Sequence, residues 1–87
     1  MELKEIKMTL RNFIYEKFEI VESDEDFKND VDLFNYGFID SLGATVLNAF
    51  IEDTFSIEIT TKDVMTFPLN TINEITEFIS IKIGEKK

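Results

Sequence analysis

Apolar side chains recur at helical spacing in three long segments of the chain, which predicts three long amphipathic helices. The first segment covers about residues 2–18, the second covers about residues 40–55, and the third begins near Thr71. Thr71 and Glu74 match a capping box, in which a threonine at a helix start is followed three residues later by glutamate. The last helix is therefore expected to begin at Thr71.

A short helix is predicted over residues 61–66, because Phe67 precedes Pro68 and the residue before a proline avoids helical backbone angles. Residues 19–39 show no sustained period and include the charged run 22–26, which predicts a long connection. A chain of 87 residues is expected to form one small domain. The predicted fold is all-α, a four-helix bundle over residues 1–87 with a long loop between helices I and II and a short helix III.

The second predicted helix carries two apolar stripes, which is more than one buried face requires. One stripe consists of residues spaced four apart: Leu47, Ile51 and Phe55. The other stripe is offset from it and consists of Leu42, Val46, Ala49 and Phe50. We expect the first stripe to face the core and part of the second to be exposed for a partner, although a small bundle could bury both. Gly43 has no side chain, and we expect this to let another surface approach Ser41 closely.

Negative charge is concentrated in the middle of the chain. Residues 19–58 contain eleven acidic side chains against Lys28 alone, whereas the whole chain has a net charge of −9. Nucleic acid is therefore not expected as a partner, because its phosphates would be repelled, while enzymes with basic docking surfaces would be attracted. No apolar run reaches the ~18 residues of a membrane span. We accordingly expect no membrane insertion and a cytoplasmic location.

The chain lacks the residue types on which most catalytic and metal sites depend. It contains no cysteine and no histidine, which excludes disulfides, thiolate metal sites and a histidine general base. A calcium loop starting at Asp24 would place Lys28 at a ligand position and Asn29 where glycine is required. Ile39 occupies the first glycine position of a nucleophile elbow around Ser41. We therefore expect no catalytic residues, no metal, and a protein on which other enzymes act.

Ser41 is one of the few side chains that could carry a covalent attachment. It follows Asp40 at the predicted start of the second helix, where either residue could be an ordinary N-terminal cap. We expect Asp40 to provide the cap, which leaves the hydroxyl of Ser41 facing water in the first turn. The positive end of the helix dipole favours an anion at that place, so a phosphate ester on Ser41 would be well positioned.

Residues 32–42 read Asp-Leu-Phe-Asn-Tyr-Gly-Phe-Ile-Asp-Ser-Leu, and this segment resembles the attachment segment of acyl carrier proteins. The order of the predicted helices and the acidic loop is similar to that family over nearly the whole chain. The resemblance implies the four-helix bundle of that family and a 4'-phosphopantetheine arm joined to Ser41 by a phosphodiester, with Asp40 and Leu42 beside it. The terminal thiol of the arm would carry an acyl or aminoacyl group as a thioester.

The resemblance also implies partner enzymes. A phosphopantetheinyl transferase would install the arm from coenzyme A, using Mg²⁺. An acyl- or aminoacyl-activating ligase would load the arm, and acyltransferases or synthases would use its cargo. By resemblance, the candidate docking residues are Leu42, Val46, Glu52 and Asp53. We expect the carrier to be a monomer.

The chain departs from the commonest fatty-acid carrier pattern in two places. That pattern usually has glutamate near Val46 and a more acidic third helix, whereas residues 60–63 are nearly neutral here. Residues 40–43 and 67–68 resemble stand-alone aminoacyl carriers, including the D-alanyl type, and peptidyl carrier domains. Three hypotheses therefore stand: an acyl carrier modified on Ser41, an aminoacyl carrier charged by an adenylating ligase, and an unmodified acidic helical adaptor.

Overall fold

Four α-helices make up the regular structure of the computed structural model, which describes residues 2–20 and 25–85. They are α1 (Leu3–Lys17), α2 (Ser41–Phe55), α3 (Thr61–Thr66) and α4 (Ile72–Glu85). The predicted all-α fold and the order of its helices are confirmed. The long connection between α1 and α2 is also present, although residues 22–24 of its predicted charged run lie outside the described residues.

The core forms mainly between α1 and α4, which have the most extensive contact of any two helices. Their inward faces contribute side chains that are almost completely buried: Ile6, Leu10, Ile14, Ile72, Ile75, Phe78 and Ile79. The stripe of α2 that was predicted to face inward is buried with them, at Leu47, Ile51 and Phe55. Each such side chain contributes roughly 1.5–3 kcal/mol by leaving water, so this shared core holds the middle and the end of α2 against the bundle.

The long connection is held against α1 by one arginine. The guanidinium of Arg11 donates to the Oδ1 atom of Asn29 at 2.8 Å and to the backbone carbonyl of Phe27 at 2.9 Å. The same group lies 4.3 Å above the centre of the Phe27 ring, so it makes a cation–π contact as well. The phenyl ring itself is buried. The middle of the connection is therefore attached to the bundle rather than free.

Two backbone hydrogen bonds attach the same connection to the start of α4. The N–H of Leu33 donates to the carbonyl of Asn70 at 2.9 Å, and the N–H of Asn73 donates to the carbonyl of Asn29 at 3.0 Å. Leu33 is completely buried beside these bonds. The chain thus reaches the start of α2 from a fixed position, and this determines where the first turn of α2 stands.

Candidate functional site

The segment that leads into α2 is closed by its own hydrogen bonds. The Oδ1 atom of Asp32 accepts from the N–H groups of Phe34 and Asn35, at 3.1 and 3.0 Å. The N–H of Ile39 then donates across the turn to the carbonyl of Leu33 at 3.1 Å. The turn passes through Gly37 at a φ of +90°, a conformation that other residues rarely adopt. These bonds deliver the next residue, Asp40, in a defined orientation.

Asp40 is the N-terminal cap of α2, as the sequence predicted. Its backbone is extended, and its Oδ1 atom accepts from the N–H of Gly43 at 2.7 Å. Its backbone carbonyl accepts the first bond of the helix from the N–H of Ala44 at 2.8 Å. Because Asp40 provides the cap, the hydroxyl of Ser41 is not needed for it.

Ser41 is the first residue of α2 and is exposed, as predicted. The first turn contains no acidic side chain, and the N-terminal end of a helix carries partial positive charge. A phosphodiester on the Ser41 oxygen would therefore lie in open solvent at the positive end of the helix, beside the Asp40 carboxylate. The residues present fit a phosphate-linked arm at this place, because the cap is formed elsewhere and nothing described here covers the serine.

Three residues of the second stripe of α2 extend the exposed surface next to Ser41. Leu42 is 79% exposed and Val46 is 39% exposed, and Ala49 is exposed one turn further on. Phe50 is different, because its ring is half-buried and stacks on Phe13 with 3.7 Å between the ring centres. The prediction that part of this stripe is exposed is thus confirmed for three of its four residues.

The short helix α3 adds apolar surface that the sequence analysis did not identify. Val64 is 53% exposed and Met65 is 82% exposed, and α3 has no buried residue among its six. Val64 faces α2 across an open groove of about 340 Å³, whose α2 wall includes Thr45 and Asn48. The sequence does contain a signal for this surface. Val64 and Met65 are adjacent apolar residues in a helix that is too short to bury a face.

The expectation that Gly43 lets another surface approach Ser41 is wrong. It is buried and faces inward, where a Cβ atom would lie 2.7 Å from the Phe18 ring and 2.9 Å from Ile39 Cγ2. The surface that approaches this glycine is therefore the protein's own, contributed by the end of α1. The exposed side of the first turn consists instead of Ser41 and Leu42.

The two acidic docking candidates lie at the far end of α2. Glu52 is eleven residues from Ser41, which is about 17 Å along the helix axis. It is half-buried, and its Oε2 atom accepts from the N–H of Ile59 at 2.8 Å. This bond gives Glu52 a structural role in the α2–α3 connection, whereas Asp53 is exposed. The structure therefore brings Asp40, Ser41, Leu42 and Val46 to one end of α2 and leaves Glu52 and Asp53 at the other.

A capping box and an ion pair hold α3 in place. The side chain of Thr60 accepts from the N–H of Asp63, and the Asp63 carboxylate accepts from the N–H of Thr60, both at 3.0 Å. The same carboxylate contacts the ammonium group of Lys82 on α4 at 2.8 Å. The hydrogen bond from Lys82 is the largest cause that lowers the pKa of Asp63 from 3.8 to about 2, and it raises the pKa of Lys82 in turn.

Residues 2–20 and 25–85 bring together no group of three acidic side chains that could hold a metal ion. No helix within these ranges combines the length and apolarity needed to cross a membrane.

Comparison with known families identifies the class of protein. The family model described as the phosphopantetheine attachment site matches residues 9–79, and the chain therefore belongs to that family. A search of the curated proteins found no match. Members of the family carry 4'-phosphopantetheine and act as covalent shuttles without catalysing a reaction, so this chain is a phosphopantetheine-bearing carrier protein. The predicted family, cofactor and non-enzymatic role are confirmed.

The ion pair of α3 makes stability depend on pH. Because the pKa of the Asp63 carboxyl is lower in the folded protein, its contribution is present above pH 3.8 and is lost as the pH falls towards about 2. We expect Asp63→Asn, which keeps an acceptor for the Thr60 N–H, to reduce the acid-induced loss of stability over this interval. Chemical unfolding at several pH values measures it.

Lys82→Gln is the matched variant, since it removes the cation and leaves the capping box intact. It should reduce the acid-induced loss by less than Asp63→Asn does, because the hydrogen bonds with Thr60 still lower the pKa of Asp63. Acid profiles of both variants that coincide with the wild-type profile would show that the ion pair does not stabilise the fold.

Proposed function

We propose that Ser41 is the residue that carries the 4'-phosphopantetheine arm. One observation at the start of α2 supports this proposal most. Asp40 caps the helix, and Ser41 is exposed. The matched family region, residues 9–79, includes this position. The absence of cysteine from the chain means that the terminal thiol of the arm would be its only thiol.

The role of the protein in the modification is to present one oxygen. The Oγ atom of Ser41 forms the phosphodiester bond and gives up its proton to the transferase, while coenzyme A releases its adenosine bisphosphate portion. The bound arm supplies a thiol that holds cargo as an activated thioester. Asp40 keeps the first turn of α2 formed, and Leu42 projects beside the serine. A flexible arm then raises the local concentration of the cargo at each docked enzyme.

The modification can be tested by intact mass after incubation with coenzyme A, Mg²⁺ and a broad-range phosphopantetheinyl transferase. We expect the wild-type protein to gain the mass of one arm and Ser41→Ala to gain none. Ser41→Ala should remain folded, because Asp40 provides the cap. Circular dichroism checks the fold.

Ser56→Ala is the matched control, since Ser56 is also exposed and lies just beyond the other end of α2. It should be modified like the wild type. Failure of the wild type to gain mass, beside a carrier that is modified in the same reaction, would favour the unmodified helical adaptor. Modification of Ser41→Ala would place the arm on another residue.

For the cargo, we propose an acyl group that is delivered to acyltransferases or synthases. An aminoacyl cargo, loaded by an adenylating ligase, is the second candidate. It is favoured by the apolar Val46 and by the short α3, whose Lys62 and Asp63 balance each other in charge. Charging assays that offer amino acids and fatty acids to the modified protein, with ligases of both types, distinguish the two cargoes.

We propose that partner enzymes dock on the apolar surface formed by Leu42, Val46, Val64 and Met65. From Ser41 to Ile51 the chain contains no charged residue, so an enzyme that reaches the serine meets apolar contacts first. The acidic loop and Asp53 would act at longer range, by steering basic enzymes towards this end of the bundle. Glu52 is a weaker candidate, because its carboxylate already holds the N–H of Ile59.

This docking surface can be tested with two alanine substitutions. We expect Leu42→Ala and Val46→Ala each to raise the KM of the transferase for the carrier by about tenfold, since buried apolar anchors contribute on the order of 1–2 kcal/mol to an interface. Steady-state kinetics with the purified carrier as the varied substrate provides the measurement.

Met8→Ala is the control for the docking test, because Met8 is similarly exposed, at 55%, but belongs to α1. The KM of the transferase for Met8→Ala should equal its KM for the wild-type carrier. If all three variants raise the KM equally, the effect is not specific to this surface. Monomeric state and cytoplasmic location also stay predictions, to be checked by light scattering and by cell fractionation.

A further inference from the structure

The end of α1 is in direct contact with the start of α2. Phe18 follows the last residue of α1, and its ring occupies the space where a side chain on Gly43 would begin, 2.7 Å from the ideal Cβ position. Ile39 and the Oδ1 atom of Asp40 border the same position, at 2.9 and 3.2 Å. The N–H of this glycine is the one that Asp40 caps. Asp40 therefore binds the N–H of Gly43, and the Phe18 ring packs against its Cα.

Phe18 is itself held in place. Its N–H donates to the carbonyl of Ile14 at 3.1 Å, and the chain then turns through Glu19 at a φ of +51°. The N–H of Ile20 closes this helix end by donating to the carbonyl of Tyr15 at 3.1 Å. These bonds fix the backbone of Phe18, so its ring can act as a rigid support.

A second aromatic contact supports α2 two turns further along. Phe18 packs edge-on against Phe13, whose ring stacks on Phe50 of α2 with 3.7 Å between the centres. Gly43 and Phe50 are seven residues apart, which is about 10 Å along the helix. Because the contacts at Gly43 and Phe50 lie at different positions along α2, together they fix both its distance from α1 and its tilt. Ser41 lies at the end of α2 that Phe18 supports.

We propose that Phe18 is a positioning residue for the modification of Ser41, acting through Gly43 and Asp40. This inference rests on the proposed function of Ser41. The phenyl ring sets how far the first turn of α2 stands from the bundle, and thereby where the Ser41 oxygen is offered to the transferase. Glycine at position 43 is required for this contact, because any Cβ would displace the ring or Ile39.

The first test compares Phe18→Leu with Phe78→Leu in transferase kinetics, at a temperature where both proteins are fully folded. We expect Phe18→Leu to lower kcat about tenfold and to change KM by less than about twofold, since a displaced nucleophile slows the reaction more than it weakens docking. Phe78 is completely buried in α4, so its substitution disturbs the core at least as much but leaves the contact of Phe18 with Gly43 in place. Phe78→Leu should keep the wild-type kcat.

The second test uses Gly43→Ala and the double variant Phe18→Leu/Gly43→Ala. We expect Gly43→Ala alone to lower kcat about tenfold as well. If Phe18 acts through Gly43, the double variant will be no slower than the slower single variant, because the two substitutions disturb one contact. A roughly hundredfold loss, the product of two independent effects, would overturn the proposal.

The results of these tests distinguish a wrong role for Phe18 from a wrong role for Ser41. If the wild type is modified on Ser41 and Phe18→Leu keeps its kcat, or Phe78→Leu is equally slow, Phe18 does not position the serine and the proposed function stands. If the wild type is not modified at all, the proposed function fails first. Amide chemical shifts of Ser41 and Leu42 in both leucine variants provide an independent readout, and only those of Phe18→Leu should change.

Discussion

The hydrogen bond from the Gly43 N–H to the Asp40 carboxylate is the interaction on which the candidate site depends. It is 2.7 Å long, and it starts α2 at Ser41 without using the serine hydroxyl. A cap of this kind contributes about 1 kcal/mol, which is a substantial part of the stability of a small domain. Because Asp40 provides the cap, the Ser41 hydroxyl is not needed for it, and the modification proposed for Ser41 is compatible with a folded helix.

The rest of the fold serves to place this cap. Arg11 holds the long connection to α1, and the N–H of Leu33 joins it to the start of α4. The buried core between α1 and α4 then positions both anchors. On the other side, Phe18 supports the turn that contains Gly43. If Ser41 carries the arm as proposed, a carrier whose own residues perform no catalysis still needs this precision, because the transferase must reach that one oxygen.

Local sequence signals predicted the helices and the cap, because these depend on residues that are close in the chain. The helix ends agree with the structure to within one or two residues, and the capping box of Thr71 and Glu74 forms as expected. The ion pair of Asp63 with Lys82 was not predicted, because its partners are nineteen residues apart and meet only through packing. The expectation for Gly43 was wrong for the same reason, since its neighbour Phe18 lies at the end of another helix.

The most direct test of this account compares Asp40→Ala with Thr60→Ala. Each variant removes one helix cap, and each should lower the free energy of unfolding by about 1 kcal/mol. Only Asp40→Ala disturbs the turn that presents Ser41, so its kcat for modification by the transferase should fall at least about tenfold while the kcat of Thr60→Ala stays near the wild-type value. Equal rates for the two variants would contradict the account.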